Sequence, residues 1–281
     1  MINVKNQNVK IAKTNTILNR LDYSIKNKLP FSIVRFGDGT IKAIHAYLTN
    51  DHAQLKSISI QEGIPIVAFE KIINFWKTSA NYCDYIDSPA VYFNNKFWKR
   101  TKRKKKQMSE KTIKRLYMWG ELYSKIGITN KNYCNPEINF LSCIAGRKSL
   151  LDLLEGKKIC CITSRIDAKE ILSKYFDNIE IIQISGKNEN QFINCFSKVI
   201  NIIDTYAKEY DIWLIAAGEL GRVYPGLIKF NGGRAFDVGS LIDVWCGDEL
   251  PDRLKPYLTK TIHHPLKFVL TESGKEFAKY I

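Results

Sequence analysis

Apolar positions in this chain follow two rhythms. From residue 11 to about residue 76 they recur at the three-to-four spacing of amphipathic helices, and from about residue 158 short continuous apolar runs alternate with helical stretches. Ile11, Ile17, Leu18, Leu21 and Ile25 predict an opening helix that ends near Leu29 and Pro30, because the residue before a proline is pushed out of the helical region. Residues 31–36 read as a short strand, and residues 41–48, 52–60 and 66–76 as helical pieces broken at Asn50 and Asp51 and again at Gly63 to Pro65. Residues 89–93 read as a further strand, and residues 109–126 as a helix with Ser109 at its N-cap. In the second half, strands at 158–163, 179–184 and 212–217 alternate with helices at 167–175 and 191–210, the spacing of successive β-α units. The pattern predicts an α/β, Rossmann-like fold with a mainly parallel sheet flanked by helices. We read it as a single domain over residues 1–281, with an insertion at about 94–108 and a helical tail from about 248.

Composition narrows the class. With 45% hydrophobic and 25% charged residues among 281, disorder of the whole chain is excluded. The seven cysteines are odd in number and contain no C-x-x-C pair, which fits reduced thiols; Cys160 and Cys161 are neighbours on a strand and point to opposite faces. No apolar run is long enough to span a bilayer and the first twenty residues are polar and dotted with lysine, so the expected location is cytoplasmic. The net charge of +15 allows a nucleic-acid partner, an anionic membrane or a phosphorylated ligand. Roughly half of it comes from one segment, Lys96, Lys99, Arg100, Arg103 and the lysines at 102 and 104–106. That segment is either a solvated insertion or a contact for an anionic acceptor, membrane or polynucleotide.

Ligands of open parallel sheets lie beyond the carboxyl ends of the strands. The segments there are Gly37 to Thr40, Ser164 with Arg165, Ser185 to Asn190 including Lys187, Gly218 to Arg222, and Asp237 to Ser240. In the first, Gly37 and Gly39 admit close backbone approach, Arg35 can fork onto phosphate oxygens, and Asp38 can hold a divalent metal or a sugar hydroxyl. A tight turn capped by aspartate explains an isolated G-D-G equally well. Gly218, Glu219 and Arg222 form a glycine-lined turn able to hold a ribose hydroxyl and a phosphate, with a surface ion pair as the other reading of Glu219. Asp237 sits between apolar residues and needs partners if buried; Ser240 is placed to cap the next helix, and Asp243 is a candidate general base. His263 and His264 lack a third ligand at zinc spacing.

Taken in order, Arg35-Phe36-Gly37-Asp38-Gly39 after an apolar strand, Ala216-Ala217-Gly218 after another, and the late Gly233-to-Gly239 segment around Phe236-Asp237-Val238 resemble the GT-D type glycosyltransferases, once catalogued as a domain of unknown function. The resemblance spans about residues 21–247. It implies a Rossmann-type fold that transfers a sugar, glucose from UDP-glucose in the characterised case, to a glycan or glycoprotein acceptor, with a D-x-E motif assisting metal and diphosphate binding. Carried over by position, the Asp is Asp38, and Thr40 stands where the motif has Glu. The cofactor that the resemblance implies is a divalent cation, Mn²⁺ or Mg²⁺, with Thr40 in place of one of its acidic partners. Three other readings remain open at this level: a nucleic-acid binding protein or nuclease using the basic segment, a SAM-dependent methyltransferase using Gly37 and Gly39, and a sugar-binding relative without catalysis.

Overall fold

The computed structural model describes residues 11–87, 121–145, 148–186 and 189–278, with the side chains of Asp38 and residues 276–278 left out. The first half supplies α1 (Thr14–Lys26), β1 (Phe31–Val34), α2 (Asp38–Leu48), α3 (His52–Glu62), α4 (Phe69–Tyr82), β2 (Tyr85–Asp87) and β3 (Tyr133–Cys134). After the short helices α5 (Ile138–Leu141) and α6 (Leu150–Leu154) come β4 (Ile159–Thr163), α7 (Ala168–Leu172), β5 (Ile179–Gln183), α8 (Ser197–Tyr206) and β6 (Ile212–Ala216). The chain continues through α9 (Tyr224–Phe230), β7 (Arg234–Asp237), α10 (Leu241–Trp245), β8 (Leu258–Lys260), β9 (Phe268–Leu270) and α11 (Glu272–Ala278).

Strands β1 to β7 form one sheet in the order β3-β2-β1-β7-β6-β4-β5, and each neighbouring pair is parallel. Its two faces are both covered, as crossover helices require. Along β4, Cys160 and Ile162 enter one core and Ile159 and Cys161 the other; along β6, Trp213 and Ile215 alternate in the same way with Ile212 and Leu214. One core is roofed by α2, α3, α4, α8 and α9, the other by α1, α6, α10 and the segment around Leu258 to Phe268. All seven cysteines are free, and Cys160 and Cys161 do face opposite ways.

The parallel sheet and its second-half elements agree with the sequence reading, and four details differ. Ile11 lies outside α1 and bridges to Tyr133 instead. The strand beside β1 is β2, a three-residue segment too short to carry a periodic signal; the strand expected at 89–93, the basic insertion and the first part of the helix expected at 109–126 lie outside the described residues. The tail from 248, expected to be helical, contains an antiparallel β8-β9 hairpin before α11, because Leu258 and Phe268 bury on the core while Thr259 faces out. Finally, the G-D-G segment is no free loop: Gly37 is the N-cap of α2, and Asp38, Gly39 and Thr40 are its first residues.

Candidate active site

Strand β1 is central and leaves the sheet between β2 and β7. The sequence reading ran this strand to Phe36, but the ladder stops at Val34. The next two N–H groups go to carboxylates: Arg35 N–H donates to Asp237 Oδ2 at 3.0 Å and Phe36 N–H donates to Asp87 Oδ1 at 2.7 Å. Each acceptor is the last residue of a flanking strand, so buried donors that would cost about 1–3 kcal/mol if unmade are satisfied. The turn into α2 is thereby held from both sides.

Two guanidinium groups share this pocket. Arg222, at the end of the 3₁₀ turn after β6, donates through Nη1 to Asp237 Oδ2 at 2.7 Å, and its Nη2 lies 3.3 Å from where a Cβ on Gly37 would stand. Arg35 donates through Nε to the Pro136 carbonyl at 2.9 Å, and its Nη1 lies 2.7 Å from the position of a Cβ on Gly239, which adopts φ +47°. Gly37 and Gly239 are thus the floor on which the two arginines rest. Asp237 is 1% exposed, yet among the described residues its Oδ1 has no hydrogen-bond partner, and neither has Arg222 Nε. Buried polar atoms of this kind take a partner from water, an ion or a ligand.

The third glycine has the same logic. A Cβ on Gly39 would overlap Glu219 Oε1, and the buried Thr40 hydroxyl donates to Glu219 Oε2. The Glu219 carbonyl is fixed by Trp76 Nε1 at 2.9 Å, so the carboxylate stands over the first turn of α2. The 11-residue α2 presents the positive end of its dipole there. Among the described residues no group of three His, Cys, Asp or Glu side chains is arranged to hold a metal. A cation beside Glu219 would face that positive end and would have to take most of its oxygens from a bound diphosphate and water, the usual manner for Mg²⁺.

Electrostatics follow from this packing. Burial opposes charge on Arg222, but Asp237, Glu219 and Asp87 outweigh it and hold the guanidinium more firmly protonated than usual. Burial pushes the Asp87 carboxyl up to about 7, against Phe36 N–H, Arg35 and Arg222 and with the help of Asp237. The sequence reading missed Asp87. Its only signal was an acidic residue closing the short apolar pair Tyr85-Ile86.

The other candidates are dispersed. Arg165 binds Asp167, Asp248 and the Cys246 carbonyl, a surface cluster beyond β4 with Ser164 half-buried next to it. Lys187 lies outside the described residues. Ser240 occupies the N-cap position of α10, but it is exposed and its side chain makes no capping bond, since its helical backbone angles turn the hydroxyl away from the free N–H groups. Asp243 is half-buried in the first turn of α10.

Family models give no match to this sequence, and neither do curated proteins. Solved structures do match. A selenomethionine-substituted structure of domain of unknown function 1792 superposes with a TM-score of 0.54 at 19% identity, over 85% of this chain and 80% of that one. This chain has the DUF1792 fold. A second structure of that domain, described as having a distinct glycosyltransferase fold, gives a TM-score of 0.50 at 18% identity over 85% and 80% of the two chains. A third, a new glycosyltransferase (DUF1792) from Streptococcus sanguinis, gives 0.51 at 16% identity over 95% and 97%. Within the DUF1792 fold the arginine-carboxylate cluster lies where the strand order of an open parallel sheet places a ligand.

Proposed function

We propose that this chain is a glycosyltransferase that moves a sugar from a nucleotide-sugar donor to a glycan or glycoprotein acceptor, with a UDP-sugar as donor and glucose as the sugar. The observation that carries the reading is the pair of guanidinium groups beside Asp237, Arg222 bonded to its carboxylate over Gly37 and Arg35 held on the Pro136 carbonyl over Gly239. Departure of a nucleoside diphosphate places negative charge on its leaving oxygen, and preorganised donors in a water-poor pocket stabilise such charge more than water does. Arg35 and Arg222 serve this role, Gly37 and Gly39 leave room for Arg222 and Glu219 to lie against the start of α2, and Asp237 Oδ1 accepts from a hydroxyl of the donor sugar.

The acceptor hydroxyl attacks the anomeric carbon while the bond to the diphosphate breaks, and its proton goes to a general base. A divalent cation, Mn²⁺ or Mg²⁺, would be held by Asp38 and Glu219 and would supply further charge neutralisation at the diphosphate. Thr40 then orients Glu219 in place of being a ligand itself. The basic segment at 96–106 is assigned to contact with an anionic acceptor surface, and the location to the cytoplasm. In a methyltransferase Gly37 and Gly39 would leave room for an adenosine, whereas here Arg222 and Glu219 stand over them.

A panel of nucleotide sugars tests the reading through nucleoside diphosphate release, with and without Mn²⁺. We expect slow hydrolysis of one donor, lost in Arg222→Met; release of diphosphate from none of them, alongside salt-sensitive polynucleotide binding, would replace it by the nucleic-acid reading.

A further inference from the structure

Asp87 has a place in this pocket that the reaction scheme does not yet use. It closes β2, is 2% exposed, and holds the turn before α2 through the 2.7 Å bond from Phe36 N–H. Its counterpart Asp237 is paired directly with Arg222, whereas among the described residues no ion pair reaches Asp87, whose other contact is the Tyr123 hydroxyl at 3.5 Å. The groups that face it come from every neighbouring element. They are Arg35 beyond β1, Asp237 on β7, Arg222 beyond β6, the Tyr123 hydroxyl, and the Cys134 thiol on β3, itself pushed well up by burial and by Asp87.

Charge balance then becomes the issue. Among the described residues, two guanidinium groups, Arg35 and Arg222, stand with three carboxylates, Asp87, Asp237 and Glu219. A nucleotide sugar that binds without a divalent cation brings two more negative charges on its diphosphate. In a buried site such charge is not screened by solvent, and the carboxylate without a cation of its own is the one that yields. Protonated Asp87 keeps the Phe36 bond, because Oδ1 remains an acceptor when the proton sits on Oδ2.

We propose that Asp87 is a positioning residue of the donor site that takes up a proton from solvent when the donor diphosphate binds, holding the Arg35-Phe36-Gly37 turn while removing one opposing charge. The inference rests on the glycosyltransferase reading. The carboxyl already titrates close to neutrality, at about 7, so the proton costs little there.

The test is calorimetric titration of UDP-glucose in EDTA, between about pH 6 and pH 8.5, in buffers of different ionisation enthalpy, with the wild type and Asp87→Asn. For the wild type we expect net proton uptake and an affinity that weakens by up to about tenfold per pH unit above about pH 7. Asn offers the same acceptor without a charge, so the variant should bind with a flat pH profile, without proton uptake, and about tenfold more tightly than the wild type at about pH 8.5. Proton uptake by the wild type needs no variant, so a variant that fails to fold does not remove the test. Wild-type binding without uptake, or an unchanged slope in Asp87→Asn, overturns this proposal alone. No binding of UDP-glucose by the folded wild type in EDTA at any pH overturns this proposal, and no binding in Mn²⁺ either overturns the assigned UDP-sugar donor with it.

Discussion

Removing Arg222 should strand a charge. Asp237 is 1% exposed, and among the described residues one of its oxygens already lacks a partner and the other would keep only the Arg35 N–H bond. Breaking a buried ion pair from one side costs about 3–5 kcal/mol, because the remaining charge cannot be rehydrated. Arg222→Met, which preserves much of the volume, should therefore lower unfolding free energy by an amount in that range. Asp237→Asn should cost less, about 2 kcal/mol, since Asn still accepts from Arg35 N–H and Arg222 retains Glu219 and Asp87 nearby. The double variant removes both charges together, and we expect it to be more stable than the sum of single effects by about 2 kcal/mol. Urea unfolding followed by tryptophan fluorescence measures all four proteins, with equal m-values required for the comparison. Additivity within about 0.5 kcal/mol would refute the reasoning, because it would mean that the two side chains do not depend on each other in the folded protein.

Other consequences are separable. Gly39→Ala forces the Glu219 carboxylate off Thr40; because the obstacle is the end of a flexible side chain, unfolding free energy should change by no more than about 1 kcal/mol while UDP-glucose affinity falls about tenfold or more, read by calorimetry. Gly226→Ala is the converse, since its Cβ would lie 2.5 Å from Ser79 Cα at the crossing of α9 and α4. Backbone cannot step aside there, so urea unfolding should show a loss of about 3 kcal/mol, with donor affinity of the folded fraction unchanged. Asp87 also shapes stability against pH. With a folded value of about 7 against about 3.9 unfolded, the native state binds the extra proton between those values, so stability falls as pH rises from about 4 to about 7 and is flat above. The full effect is about 4 kcal/mol, and Asp87→Asn should remove it; an unchanged stability profile in the variant would contradict the burial argument.

The sheet was legible because its strands advertise burial on both faces. Runs such as Ile212-Trp213-Leu214-Ile215 are apolar throughout, and the carboxyl-edge loops follow directly from such runs. Gly37, Gly39, Arg222 and Asp237 were found from that edge rule and Arg35 from the motif that ends its strand, and they do converge. Ser164 and Arg165 obey the same rule yet belong to a different surface cluster, because β4 lies two strands away from β7. Asp87 escaped notice since β2 has only three residues, and its importance comes from pairing beside β1, a relation between segments 51 positions apart. The bond between Thr40 and Glu219 joins residues 179 positions apart and has no local signature either. The helical start at Asp38 was hidden by two glycines that read as a turn; packing of Ile41 and Ile44 into the core overrides their low helix propensity.

The central claim is that the donor occupies the pocket formed by the ends of β1, β6 and β7. It is tested most directly by amide NMR spectra of the folded protein as UDP-glucose is added. The account predicts saturable shifts concentrated at residues 35–40, 218–222 and 237–240, absent when Arg222→Met is titrated under conditions where it remains folded. Saturable shifts that cluster elsewhere, such as the opposite edge around Phe230 and Asn231, or no shifts for a panel of nucleotide sugars, would contradict it.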